Sequence, residues 1–110
     1  MNDNIKYCKR IADELKAVCD GDAVTEDGDE MSLHEYFIDA LDWEYTITRQ
    51  KEYIGVKVWM TLGGPNVWID TTKRCVKLAW GTDCAEYPID DDINNAIDDY
   101  FEDYYNYWTV

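Results

Sequence analysis

A chain of 110 residues holds one domain and one core. Its net charge of −14 repels nucleic acid and anionic membrane, which excludes direct binding to either and favours basic partners. Hydrophobic content of 46% and aromatic content of 15% support a core, so the charge does not mark a disordered chain.

The stretch "DNIKYCKRIADELKAVCDG" reads as a first helix. Ile5, Cys8, Ile11, Ala12, Leu15, Val18 and Cys19 recur at helical spacing. Asp3 or Asn4 is placed to cap it and Gly21 to end it, while the exposed face carries Lys6, Lys9, Arg10 and Lys16. "DGDAVTEDGDEM" follows as a polar acidic loop. Then "SLHE" sets Ser32 and Glu35 at capping-box spacing, opening a second helix that runs to about Leu41. Leu33, Tyr36, Phe37, Ala40 and Leu41 form its buried side.

Strands are expected over 43–48, 53–62, 67–70 and 75–80, with a short edge strand over 85–87. A register check ties them into a meander. Pairing Ile47 with Ile54 sets Trp43 opposite Val58. Pairing Leu62 with Val67 across "GGPN" sets Met60 opposite Ile69, and pairing Ile69 with Val76 across "TTKR" sets Val67 opposite Leu78. All of these fall on one apolar face. A last helix starts at Asp90 or Asp91, where acids suit the positive end of the helix dipole. Ile93, Ala96, Ile97, Tyr100, Phe101, Tyr104 and Trp108 make its apolar face. Asp91, Asp98, Asp99, Glu102 and Asp103 make the opposite one. The expected fold class is α+β: a single domain with a four- to five-stranded antiparallel meander sheet packed with three helices, in the order α-α-β-β-β-β-(β)-α.

Chemistry finds little support in the residues. His34 is the sole histidine and sits at the start of a helix among acids, so no Ser-His-Asp or Cys-His set can be built without it. There is no CxxC and no histidine pair for zinc. The acidic loop has a calcium loop's composition but not its spacing: counted from Asp20 and Asp22, Val24 takes the next ligand position and Thr25 the glycine position. "GGPN" lacks the GK[ST] of a phosphate loop and sits between strands, where it turns the chain. The four cysteines are expected as free buried thiols, although Cys75 and Cys84 lie on neighbouring strands and are near enough in sequence to approach. No enzyme, cofactor or metal is expected.

Two surfaces remain. Nineteen of the 24 acids lie in two blocks without Lys or Arg, 20–48 and 78–110. Asp98 and Glu102 are one helical turn apart, about 6 Å, and Asp91 extends the row by about 10 Å. Successive phosphates on a DNA strand are separated by a comparable roughly 6–7 Å. A rigid carboxylate row of this kind can stand in for a phosphate backbone before a basic groove. The loop acids Asp22, Glu26, Asp27, Asp29 and Glu30 would extend the imitation. The other surface is the second sheet face. Trp59 and Trp68 point away from the core there, among Lys57, Thr61, Asp70 and Lys77. Either a helix covers them or they form a patch for a protein partner.

The segments "GGPNVWIDT" and "IDDYFEDYY", with the run between them, resemble small acidic proteins of phages and mobile elements in Gram-positive bacteria. The resemblance covers roughly the second half of the chain. Such proteins include anti-CRISPR and anti-restriction inhibitors, several of them DNA mimics. The resemblance implies an inhibitor in the bacterial cytoplasm whose partner is a basic nucleic-acid-binding host protein such as the CRISPR effector nuclease Cas9. It carries over no residue roles. A chain that starts "MNDN" and has no apolar run near the roughly 18 residues of a membrane span fits the same cytoplasmic expectation.

Overall fold

A computed structural model describes residues 2–109. Helix α1 spans Asp3–Asp20 and α2 spans Leu33–Phe37. Strands β1 Asp42–Ile47, β2 Tyr53–Thr61, β3 Asn66–Asp70, β4 Cys75–Trp80 and β5 Asp83–Pro88 follow, and helix α3 Asp91–Thr109 closes the chain. The strands form one antiparallel sheet in the order β1-β2-β3-β4-β5. The α+β class, the meander and the three helices are as the sequence reading expects.

Asn2, one residue before the expected caps, accepts from the Ile5 amide over 2.8 Å and starts α1. Gly21 ends the helix at φ +78°, a left-handed conformation that costs a glycine little. The Ser32–Glu35 capping box forms as expected. However, α2 ends at Phe37, short of Leu41, because the Leu41 amide donates to Trp59 O (2.9 Å) and draws the chain into the sheet. Leu41 is therefore exposed rather than core.

All three helices pack on one sheet face. Val56, Val58, Val67, Ile69, Val76 and Leu78 from the sheet meet Cys8, Ile11 and Leu15 of α1, Phe37 of α2 and Ile93, Ile97 and Phe101 of α3. Burying a large apolar side chain such as Phe101 or Leu15 contributes about 2–3 kcal/mol. The β3–β4 register agrees with the expectation, and so does the pairing of Trp43 with Val58. The β2–β3 pairing is shifted by two residues, with Val58 opposite Ile69 and an irregularity between Trp59 and Thr61. A shift of two keeps Val56 and Val58 on the core face, but beyond the irregularity Thr61 rather than Leu62 pairs with Val67, and Leu62 is exposed. A second irregularity, between Thr46 and Ile47, puts Tyr53 rather than Ile54 opposite Ile47. Tyr53 consequently turns toward the core and Ile54 is exposed.

Gly55 is required by a close approach. A Cβ there would lie 2.4 Å from Thr72 Cγ2 and 3.0 Å from Thr71 Oγ1 in the β3–β4 turn. The buried Thr71 hydroxyl accepts from the Val56 amide (2.8 Å), and Asn94 Nδ2 donates to Thr71 O (3.1 Å). These contacts pin the start of α3 to that turn and fix the helix's rotation about its axis.

The cysteines are free, but only Cys8 and Cys75 are buried. Cys75 pairs across the ladder with Pro88 and Cys84 with Ala79, so the two thiols sit at opposite ends of the β4–β5 ladder.

Candidate functional site

Helix α3 crosses the sheet. It touches the β3–β4 turn through Asn94, β2 through Asp98, and the β1–β2 turn through Tyr105, whose hydroxyl donates to Lys51 O over 2.6 Å. Its buried stripe is Ile93, Ile97, Phe101 and Tyr105. Trp108, expected in that stripe, is exposed, because the sheet ends before the helix does.

This rotation rearranges the acids. Asp98 is half-buried and accepts from the Tyr53 hydroxyl over 2.7 Å. Asp91 is exposed but faces Arg74 at 3.3 Å. The expected row of Asp91, Asp98 and Glu102 therefore has two of its three carboxylates engaged within the protein. The row left open lies one residue further round: Asp92, Asp99 and Asp103 are all exposed, with Glu102 beside them. Asp99 and Asp103 are one turn apart, about 6 Å, and Asp92 is about 10 Å further along the axis. Asp92 carries the same spacing signal in the sequence as Asp91. The contacts that anchor α3, Asn94 on Thr71, Tyr53 on Asp98 and Tyr105 on Lys51, decide between them.

The loop acids sit on a small hairpin. Val24 bridges Glu30, the Thr25 amide donates to Asp29 O (2.8 Å), and the Met31 amide donates to Ala23 O (2.9 Å). Asp22, Glu26, Asp27, Asp29 and Glu30 are all exposed on it. The base of the hairpin and the start of α3 converge on Lys16. Its ammonium is held above the usual lysine range by Asp20 first, with Asp90 and Asp22 adding to the field.

The bases of α1 do not make a positive surface. Lys9 pairs with Asp13 (2.6 Å), Arg10 with Glu14 (3.5 Å) and Lys16 with Asp20 (2.8 Å). The helix carries four bases and four acids. The helix is neutral, and the excess charge lies on the rest of the chain.

Among the described residues, no helix packs on the second sheet face. Trp59 and Trp68 pack against each other there, ring centroids 5.0 Å apart. Lys57 Nζ lies 5.3 Å from one ring and 5.5 Å from the other. Trp59 Nε1 donates to Glu44 Oε1 (3.2 Å), whereas the buried Nε1 of Trp68 has no partner in the structure. The sequence pattern puts both tryptophans and Lys57 on this face, and the structure adds that the lysine lies over both rings. Lys57 reaches both because the Lys57–Asp70 and Trp59–Trp68 rungs are two apart and so present their side chains on the same face.

His34 meets the Tyr100 hydroxyl, Nδ1 to Oη 3.0 Å, rather than a nucleophile. Burial and the neighbouring Tyr104 push the Tyr100 phenol up to about 12. Among the described residues, no three His, Cys, Asp or Glu side chains gather as a metal-ligating group, and no helix is long and apolar enough to cross a membrane. No family model, curated protein or solved structure matches the chain.

Proposed function

We propose that this protein is a non-enzymatic inhibitor that presents carboxylates in place of phosphates to the nucleic-acid groove of a defence nuclease, such as a CRISPR effector. The open row of Asp92, Asp99 and Asp103, with Glu102 alongside, carries the reading. These acids are held at near-phosphate spacing on a helix whose packing fixes their direction. No Lys or Arg occurs from Leu78 to the end of the chain to neutralise them. A groove built for DNA would bind such a row with the same release of counterions. The acidic hairpin adds a second charged arm, and the self-neutralised α1 places no net positive charge against the target.

The test is DNA cleavage by a panel of CRISPR effectors and restriction nucleases titrated with the protein. Inhibition should weaken steeply as salt rises, and duplex DNA should compete with it. Reversing Asp99, Glu102 and Asp103 together to Lys should abolish it. Undiminished inhibition by that variant would sink the reading.

A second reading has its own observation: the unpartnered Trp68 indole N–H on a sheet face that no helix covers. There the protein would be an interaction module binding a protein partner through Trp59 and Trp68, with the acids serving solubility. Its binding would be nearly independent of salt and would fall on Trp59→Ala.

A further inference from the structure

The sheet has two edges, and they differ. β5 ends in Pro88, which has no amide to offer, and α1 packs along this strand. β1 has a neighbour on one side only; it has no Pro, no Lys and no charge on its inward side, and is guarded only by two outward acids and the irregularity between Thr46 and Ile47. Its inward residues are Trp43, Tyr45 and Ile47. Its outward residues are Asp42, Glu44 and Thr46. The Trp43 amide is satisfied by the carboxylate of Asp42 (2.8 Å) instead of by a strand.

Exposed apolar side chains gather along this edge. Ile38 and Leu41 lead into the strand at 69% and 57% exposure, and Ile47 ends it at 43%. Helix α3 reaches the edge where Tyr104 meets Trp43 (ring centroids 6.2 Å apart) and Tyr105 meets Tyr45 (5.0 Å). Its last turn continues beyond these contacts with Tyr107 and Trp108 exposed at 76% and 72%. Five of the large exposed hydrophobics thus belong to this strand, to the segment leading into it or to the last turn of the helix that packs on it, a concentration that marks an interaction surface rather than scattered exposure.

The charge selects the occupant. Residues 20–48 contain no Lys or Arg, and neither does α3. A second copy pairing through its own β1 would set Asp42 and Glu44 on the same face as their equivalents, acid against acid. A strand with Lys or Arg on the outward side and apolar residues on the inward side would complement both faces.

We propose that β1 is a docking edge for an extended basic segment of a partner protein, added as a sixth strand. Main-chain bonds supply affinity, and Glu44 with the Trp43–Tyr45 face selects alternating basic and apolar residues. The proposal does not rest on phosphate mimicry, which uses other carboxylates.

The probe is an eight-residue peptide alternating Lys or Arg with Val or Tyr, titrated into the full chain. The expected result is saturable binding with slowed amide exchange at 42–47. Glu44→Lys should weaken it about tenfold or more. The peptide N-methylated at its pairing amides should fail to bind while keeping its charge, which tests strand pairing without altering the protein's fold. The Asp99, Glu102 and Asp103 reversal should leave binding within about twofold, separating this edge from the acidic row. Four outcomes would overturn the proposal: no binding, equal binding of the N-methylated peptide, equal binding of a peptide with Glu at every basic position, or a dimer in sedimentation that itself protects β1.

Discussion

The Tyr53 hydroxyl donates to Asp98 Oδ1 over 2.7 Å, joining β2 to the middle of α3. This one bond turns a carboxylate that the sequence assigns to a binding surface into part of the fold. Tyr53→Phe keeps the ring and removes only the donor. It should lower stability by about 1 kcal/mol, since the acid is half-exposed and water replaces part of the loss. Urea denaturation checks this. If the protein inhibits a nuclease as proposed, that inhibition should be unchanged or slightly stronger in the variant, because Asp98 is released to solvent.

Gly55 lies under the β3–β4 turn. Gly55→Ala should cost about 1–3 kcal/mol by overpacking against Thr72 Cγ2. Thr72→Ser removes that methyl while leaving the hydroxyl that donates to Asp70 (2.7 Å). The double variant should therefore recover much of the loss, and a double-mutant cycle should show clear coupling between the two sites. Additive effects would place the strain elsewhere.

Asp99, Glu102 and Asp103 repel one another at i, i+3 and i+4 spacing. Glu102 and Asp103 also sit toward the negative end of the helix dipole. Changing the three to Asn, Gln and Asn should raise the melting temperature at low salt by about 2 °C or more. It should also reduce the rise in melting temperature that salt gives the unaltered protein. A surface shaped only for stability would not show that gain.

Alkaline pH should unfold the protein early. The Tyr100 phenol is raised from 10 to about 12 by burial and Tyr104, and Tyr53 is raised by burial and then by Asp98. Above pH 10 the unfolded chain loses these protons while the folded one keeps them. The unfolded state then binds fewer protons, so stability is full below pH 10 and falls as pH rises toward 12. Urea melts between pH 9 and 11.5 should show the decline, and Tyr53→Phe and Tyr100→Phe should each flatten it.

Two thiols should react in the native state. Cys19 and Cys84 are exposed, and burial beside Asp20 raises the Cys19 thiol, so Cys84 should label first. Cys8, pushed up to about 11 by burial, and Cys75 should resist until the chain unfolds. Mass spectrometry after timed alkylation reads the order directly.

Much of the fold is legible because it rests on periodicity. Alternation in Val56–Val58 and Val76–Leu78 states the sheet face, and an error of two residues in the β2–β3 register leaves that face intact. The Ser32 cap is legible because two side chains three residues apart suffice to make it. The end of α2 is not, because the Trp59 carbonyl that captures Leu41 comes from a distant strand. The candidate site divides the same way. Strand alternation puts both tryptophans on the second sheet face, whereas the helix period leaves Asp91 and Asp92 equal candidates to head the carboxylate row.

The sequence by itself determined the charge, its segregation, the element order and the apolar face, since these follow from composition and from periods of 2 and 3.6. Only the tertiary structure decided which acids are spent inside the protein, that no described helix packs on the second sheet face, and that β1 is the edge α1 does not pack along. An amphipathic helix with six acids offers several rows about 100° apart, and the local pattern weighs them nearly alike. The choice among them is made by Asn94 on Thr71, Tyr53 on Asp98 and Tyr105 on Lys51, contacts between residues 23, 45 and 54 positions apart.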